Sequence, residues 1–140
     1  MKKQKNKCVL IINRTLPAGL AANTAAILSC SFGRLHPELI GEDVEDRNGR
    51  NTIGIIQIPV PVLCADEDEI SRIRRKLVQD EFSEMEMIEF TELAQSCRTY
   101  PEFIERMKQE DCQTLPCSGL LLFGDRHEIA HLSGSLPLYR

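Results

Sequence analysis

Apolar and polar positions along this chain follow two rhythms: short continuous apolar runs, and longer stretches where apolar residues return every three or four positions. Lys7 to Asn13 (KCVLIIN) is of the first kind. It is too continuous for a half-exposed strand and predicts a central strand buried on both faces. After a turn at Leu16-Pro17-Ala18-Gly19, the alanine-rich stretch Leu20 to Phe32 predicts a first helix with Gly33 as its C-cap. Alanines 21, 22, 25 and 26 would let that helix lie close to a sheet. Arg47-Asn48-Gly49-Arg50, flanked by Val44 and by Ile53 to Ile58, predicts a hairpin over Glu42 to Gln57. Pro59 and Pro61 each remove a ladder donor, which confines the next segment to an edge, a bulge or an extended connector.

Asp66 to Glu69 puts acidic residues in the first turn of a second helix, with Ile70, Ile73, Leu77 and Val78 on one face and an end near Glu81. Met85 to Phe90 is the next strand. Thr99-Tyr100-Pro101-Glu102 has the form of a capping box and opens a third helix reaching about Glu110. Gly119 to Phe123 (GLLLF) predicts a buried strand, Gly124 to Leu132 a short helix, and Leu136 to Tyr139 a closing extended stretch. Strands alternating with helices predict an α/β fold, a three-layer sandwich on a mixed sheet of four or five strands.

Composition narrows the classes. The 140 residues suit one domain, 1–140, with residues 1–6 as a flexible basic tail. There are 17 basic and 21 acidic residues, a net charge of −4, and Lys2, Lys3, Lys5 and Lys7 crowd one end. That balance argues against a nucleic-acid partner, whose phosphates need a basic face. The other basic cluster, Arg72, Arg74, Arg75 and Lys76, reads as a solvated helix face. No continuous apolar run approaches the roughly 18 residues of a membrane span. The apolar run Cys8 to Ile12 is too short for a signal peptide, so a cytoplasmic protein is expected. Cysteines 8, 30, 64, 97, 112 and 117 form no CxxC pair and read as free thiols.

Few motifs carry chemistry. His127-Glu128-Ile129-Ala130-His131 matches the H-E-x-x-H zinc pattern, but no downstream residue supplies a third ligand, so neither metal nor cofactor is predicted. The junction Asn13 to Asn23 delivers the chain from a strand through a turn into a helix N-terminus, where open α/β sheets place ligands. Thr114-Leu115-Pro116-Cys117-Ser118-Gly119 is a turn with two nucleophile types, each needing a base that no pattern supplies. Glu89 and Glu92 form a candidate acid/base pair or a solvated strand face.

In order along the chain, KCVLIINRTLPAGLAANTAA, ADEDEI (Ala65 to Ile70), TLPCSGLLLFG and LSGSLPLY (Leu132 to Tyr139) resemble the peptidyl-tRNA hydrolase II fold family. The likeness is greater to a small bacterial family of unknown function sharing that fold, whose signature INRTLPAGLAAN resembles. The hydrolases rely on a turn lysine before helix one, a nearby histidine, an aspartate after the third main strand, and a turn threonine. Here the turn Pro17 to Ala21 has no lysine, the histidine position falls near Ala26, and the aspartate region reads Thr91-Glu92. Thr114 alone matches. The resemblance therefore implies a kept fold without the tRNA chemistry. It makes Asn13, Arg14, Gly19 and Asn23 the expected ligand-binding residues and Thr114 the candidate catalytic residue. Cys117, in the turn beside Thr114, joins the expected ligand-binding set.

The expected function is binding of a small anionic or carbonyl ligand at the end of strand one. Arg14 would grip a carboxylate or phosphate, Asn23 would orient a carbonyl, and Thr114 would hold a water or proton. Any enzyme activity would be that of a hydrolase. The alternative is a non-catalytic homodimer using the apolar run Ile53 to Ala65, with peptidyl-tRNA hydrolysis ranked behind both.

Overall fold

In the computed structural model, described over residues 5–81 and 83–140, the predicted central strand becomes β1 (Asn6–Asn13). Most of the predicted basic tail, residues 1–4, lies outside the described residues; Asn6 already pairs with Asp125. α1 (Ala18–Leu35) runs straight through Gly33. Gly33 is therefore not the C-cap. Among the described residues the sole positive φ belongs to Gly49, and α1 stops where Pro37 makes a helical conformation unfavourable for His36. The predicted hairpin is present as β2 (Val44–Glu45) and β3 (Asn51–Thr52), turning at Gly49 with φ of 82°.

Pro59 and Pro61 sit just before β4 (Val62–Ala65), an edge strand parallel to β1. α2 (Glu67–Gln79) is closed at its start by a reciprocal capping box: the Asp66 carboxylate accepts from the Glu69 N–H at 2.8 Å, and Glu69 accepts from the Asp66 N–H at 3.2 Å. β5 (Glu86–Thr91) leads into the short α3 (Glu92–Ser96), which periodicity did not reveal, and α4 (Tyr100–Met107) follows. β6 (Cys117–Asp125) and α5 (Arg126–Ser133) complete the set.

The mixed sheet has four strands in the order β4-β1-β6-β5, with β6 antiparallel to both neighbours. Period-two alternation divides β1 between two cores. Val9 and Ile11 pack with Ile70 and Ile73 of α2 and Ile129 and Leu132 of α5. Leu10 and Ile12 pack on the other face with Ala21, Leu28 and Phe32 of α1. A bulge pairs Phe90 with Gly119 but Thr91 with Cys117, and it turns Cys117 toward the α2 side. The Leu136 to Tyr139 stretch lies along β4: Tyr139 N–H donates to Val62 at 2.8 Å and Cys64 N–H to Pro137 at 3.0 Å.

Candidate functional site

β1, β4 and β5 share one direction, so their carboxyl ends lie at the same end of the sheet as the start of β6. Topology thus brings Asn13, Arg14, Asp66, Thr91, Thr114 and Cys117 to that end. Their side chains do not converge. Asn13 is buried, and its Oδ1 accepts from the Thr15 N–H at 3.0 Å and hydroxyl at 2.8 Å, which shapes the turn into α1. Arg14, half exposed, reaches Glu69 of α2 at 3.3 Å. Gly19 and Asn23 are exposed on α1. The Thr114 hydroxyl donates to the Asp111 carbonyl at 2.8 Å. Cys117 is packed in the core, where burial pushes its thiol up to about 11 despite contacts to Gly119 and Phe90. Its side chain is an inert core thiol, not a ligand-facing group.

What does open beside the end of β1 is an apolar cavity of about 330 Å³ between the first turns of α1 and the edge of the sheet. Its walls include Ile12, Ala18, Ala21, Ala22, Val62 and Tyr139. The small alanines leave the space. Each predicted ligand residue on this segment except Arg14 neighbours a wall residue in sequence: Asn13 follows Ile12, Gly19 follows Ala18 and Asn23 follows Ala22. At the start of α1, Pro17 offers no side-chain cap and the first turn holds no acid.

Two polar clusters were not anticipated. Arg74, read as solvated from its basic neighbours, is 1% exposed. Its Nε donates to Glu89 at 3.3 Å, Nη1 to the Leu115 carbonyl at 2.8 Å, and Nη2 to the Cys112 carbonyl. Burial works against its charge, but the hydrogen bond and charge of Glu89 outweigh that and raise its pKa. The Cys112 thiol donates to the other Glu89 oxygen at 2.8 Å, and burial, then Glu89, raises its pKa. This cluster ties α2, β5 and the turn before β6 together. The signal was present: position 74 lies four residues after Ile70 and three before Leu77, on the buried face, and Glu89 follows inward-facing Met87 by two.

The second cluster sits at the opposite end of the sheet. His36, just after α1, contacts Glu86 through Nε2 at 2.6 Å and Glu38 through Nδ1 at 2.9 Å. Its ring stacks against Phe32 and Phe123, with centroids 5.1 and 4.7 Å away. The Glu86 hydrogen bond leads the effects that raise the His36 pKa. No sequence spacing pointed to it. On α5, His127 and His131 are exposed, while Glu128 accepts from Ser83 at 2.8 Å. Among the described residues no group of three His, Cys, Asp or Glu could hold a metal ion.

A family model described as "Protein of unknown function (DUF2000)" matches residues 6–140. The chain belongs to this family. DUF2000 membership covers every strand, every helix and both polar clusters described above. A solved protein of unknown function from Agrobacterium tumefaciens superposes with a TM-score of 0.88 at 17% identity, covering 98% of this chain and 99% of that one. It shares the fold. No curated protein matches. The expected likeness to a family of unknown function thus holds for the DUF2000 chain. Among its described residues no helix is long and apolar enough to cross a membrane.

Proposed function

We propose that this DUF2000 chain binds a small molecule or short peptide with an anionic or carbonyl head at the carboxyl end of β1. In this reading the fold is that of the peptidyl-tRNA hydrolase II family without its turn lysine, so a polyanionic tRNA substrate has lost its main attraction. The observation that carries the proposal is the alanine-walled cavity beside the first turns of α1. Its size and apolar lining fall in the range of small-ligand sites. The apolar body of a ligand would fill it. Arg14, with its side chain half exposed and one oxygen of Glu69 as its partner, would meet the head. Thr114, at the same sheet end, is the candidate to hold a water if the bound molecule is hydrolysed.

The test is a thermal-shift and calorimetric screen with short acyl carboxylates, acyl phosphates and blocked dipeptides. A saturable stabilisation that falls at least tenfold in affinity with Arg14→Ala, and is lost when Ala22→Phe fills the cavity, supports the reading. No shift across the whole set, or binding indifferent to both changes, overturns it.

A second reading, a homodimer, draws support from the hairpin arm, where Ile53 is 82% and Ile55 78% exposed. Contiguous exposed apolar residues of this kind mark contact surfaces. The rest of the run proposed for that interface, Ile56, Ile58, Val60 and Val62, packs against the core of its own chain.

A further inference from the structure

A third part of the molecule is built like a site and belongs to neither reading. Between α1, the edge strand β5 and the α3 to α4 segment lies a cavity of about 450 Å³, within the roughly 300–1,000 Å³ of small-ligand sites. Its apolar and aromatic walls are Ile27 of α1, Phe90 of β5, Ala94 of α3, and Tyr100 and Phe103 of α4. Tyr100 and Phe103 meet edge to face, with centroids 5.5 Å apart at 68°, yet Tyr100 is 71% exposed. A large ring left so far out of the core presents its surface to whatever enters.

One group gives this space its charge. Glu89 precedes Phe90 on β5, but alternation sends its carboxylate to the opposite face with Met87, where Arg74 and the Cys112 thiol hold one oxygen each. Phe90 packs on the α1 face. Glu102, in the first turn of α4, is committed as well: one oxygen accepts from the Arg98 main-chain N–H at 3.1 Å, and the other faces Arg106 at 3.6 Å. Arg98, in the link between α3 and α4, lines the cavity, and its exposed guanidinium forms no ion pair among the described residues. An aromatic-walled space with one uncommitted cation repels a cationic ligand, gains nothing from its charge with a neutral one, and satisfies a monoanion. The guanidinium fork matches the two oxygens of a carboxylate.

We infer that this cavity binds an aromatic monocarboxylate. The carboxylate pairs with the Arg98 guanidinium, and the ring lies against Tyr100, Phe103 and Phe90. This cavity and the alanine-walled one at the end of β1 share no wall residue, and each holds one of the chain's two tyrosines, Tyr100 here and Tyr139 there. The chain has no Trp, so tyrosine emission reports on either cavity once the other tyrosine is replaced.

The experiment uses the full chain with 3-phenylpropanoate and its neutral counterpart 3-phenylpropanamide, read by titration calorimetry and tyrosine fluorescence. Arg98 and Tyr100 are both exposed, so Arg98→Ala and Tyr100→Ala should unfold at the wild-type temperature without ligand. Expected is saturable binding of the acid. The amide should bind at least tenfold more weakly, Arg98→Ala should cost the acid at least tenfold, with Arg98→Lys restoring part of it, and Tyr100→Ala should cost severalfold. Tyr139→Phe should keep the ligand-induced change in emission and Tyr100→Phe should lose it, while Ala22→Phe, which fills the cavity at the end of β1, should bind the acid as the wild type does. Absence of binding by the acid, equal binding of the amide, or binding indifferent to Arg98→Ala overturns the proposal. An emission change that follows Tyr139 and disappears with Ala22→Phe puts the ligand in the other cavity and overturns it as well.

Discussion

At His36 the geometry itself dictates a charge state. A neutral imidazole carries one N–H and can donate to one acceptor, yet carboxylates stand at hydrogen-bond distance from both ring nitrogens. The arrangement is satisfied by the imidazolium. Glu38 faces the ring from the turn after α1 and Glu86 from β5. Lys5, Glu84, Asp125 and Glu128 line the same cavity around it, leaving the surroundings predominantly acidic. The folded-state pKa is therefore raised above the unfolded value of about 6.5. Between those two values the folded protein binds more protons than the unfolded chain, so stability falls as pH rises. Urea unfolding of the wild type and of His36→Gln should differ most near pH 6 and converge as pH passes the folded pKa, by roughly 1 kcal/mol or less for a partly exposed pair. A gap that widens with rising pH would show the ring to be neutral. Single residues were the least legible level of this sequence. Arg74 and His36 owe their roles to partners 15 and 50 positions away, Glu89 and Glu86, which no local spacing brings together.

Elements were more legible, because their signals are local. The β1 run, the Asp66 cap, the Asn48-Gly49 turn and the Thr99 start of α4 all act within a few residues and recur in the structure. The misreadings came from position in the fold. Gly33 had the look of a C-cap, but Pro37 set the boundary, and α3 is too short to show a period. Gly119 was read as the end of a turn and the start of a buried strand, and its significance is a contact between elements. A methyl group placed there would lie 2.8 Å from Thr24 Cγ2 of α1 and 3.1 Å from the Ile11 carbonyl oxygen of β1. Thr24 is fully buried and its hydroxyl donates to the Leu20 carbonyl, so it has no free direction in which to retreat. Gly119→Ala should then force α1 off the sheet and cost about 1–3 kcal/mol, the usual range for overpacking. Denaturant unfolding measures it. A change under about 0.5 kcal/mol would mean the α1 to β6 contact yields without strain.

For the molecule as a whole, the sequence indicated a mixed sheet between helix layers, because the alternation of strands and helices is a global pattern. It could not indicate which surfaces stay open, since that depends on strand order. β4 is one edge of the sheet, and residues 137–139 lie along it, with Tyr139 and Pro137 hydrogen-bonded to Val62 and Cys64. β5 is the other edge and carries Glu86 and Glu89, charged side chains of the kind that blunt an open edge. Self-association through the sheet edges is therefore disfavoured at both ends. The hairpin arm differs. It is tied back to the chain through Gly41 N–H to Ile55 and Gln57 N–H to Leu39, yet Val44, Ile53 and Ile55 are all exposed on it. Two arms facing each other across a two-fold axis would bury the same three residues twice, the self-complementary arrangement of most homodimers. Sedimentation equilibrium at micromolar concentration should then report a dimer. The double variant Ile53→Lys with Ile55→Lys should sediment as a monomer and, because neither side chain is buried within its own chain, unfold within a few degrees of the wild-type monomer. A wild type that stays monomeric across the concentration range, or a double variant that still dimerises, would leave the arm without this role.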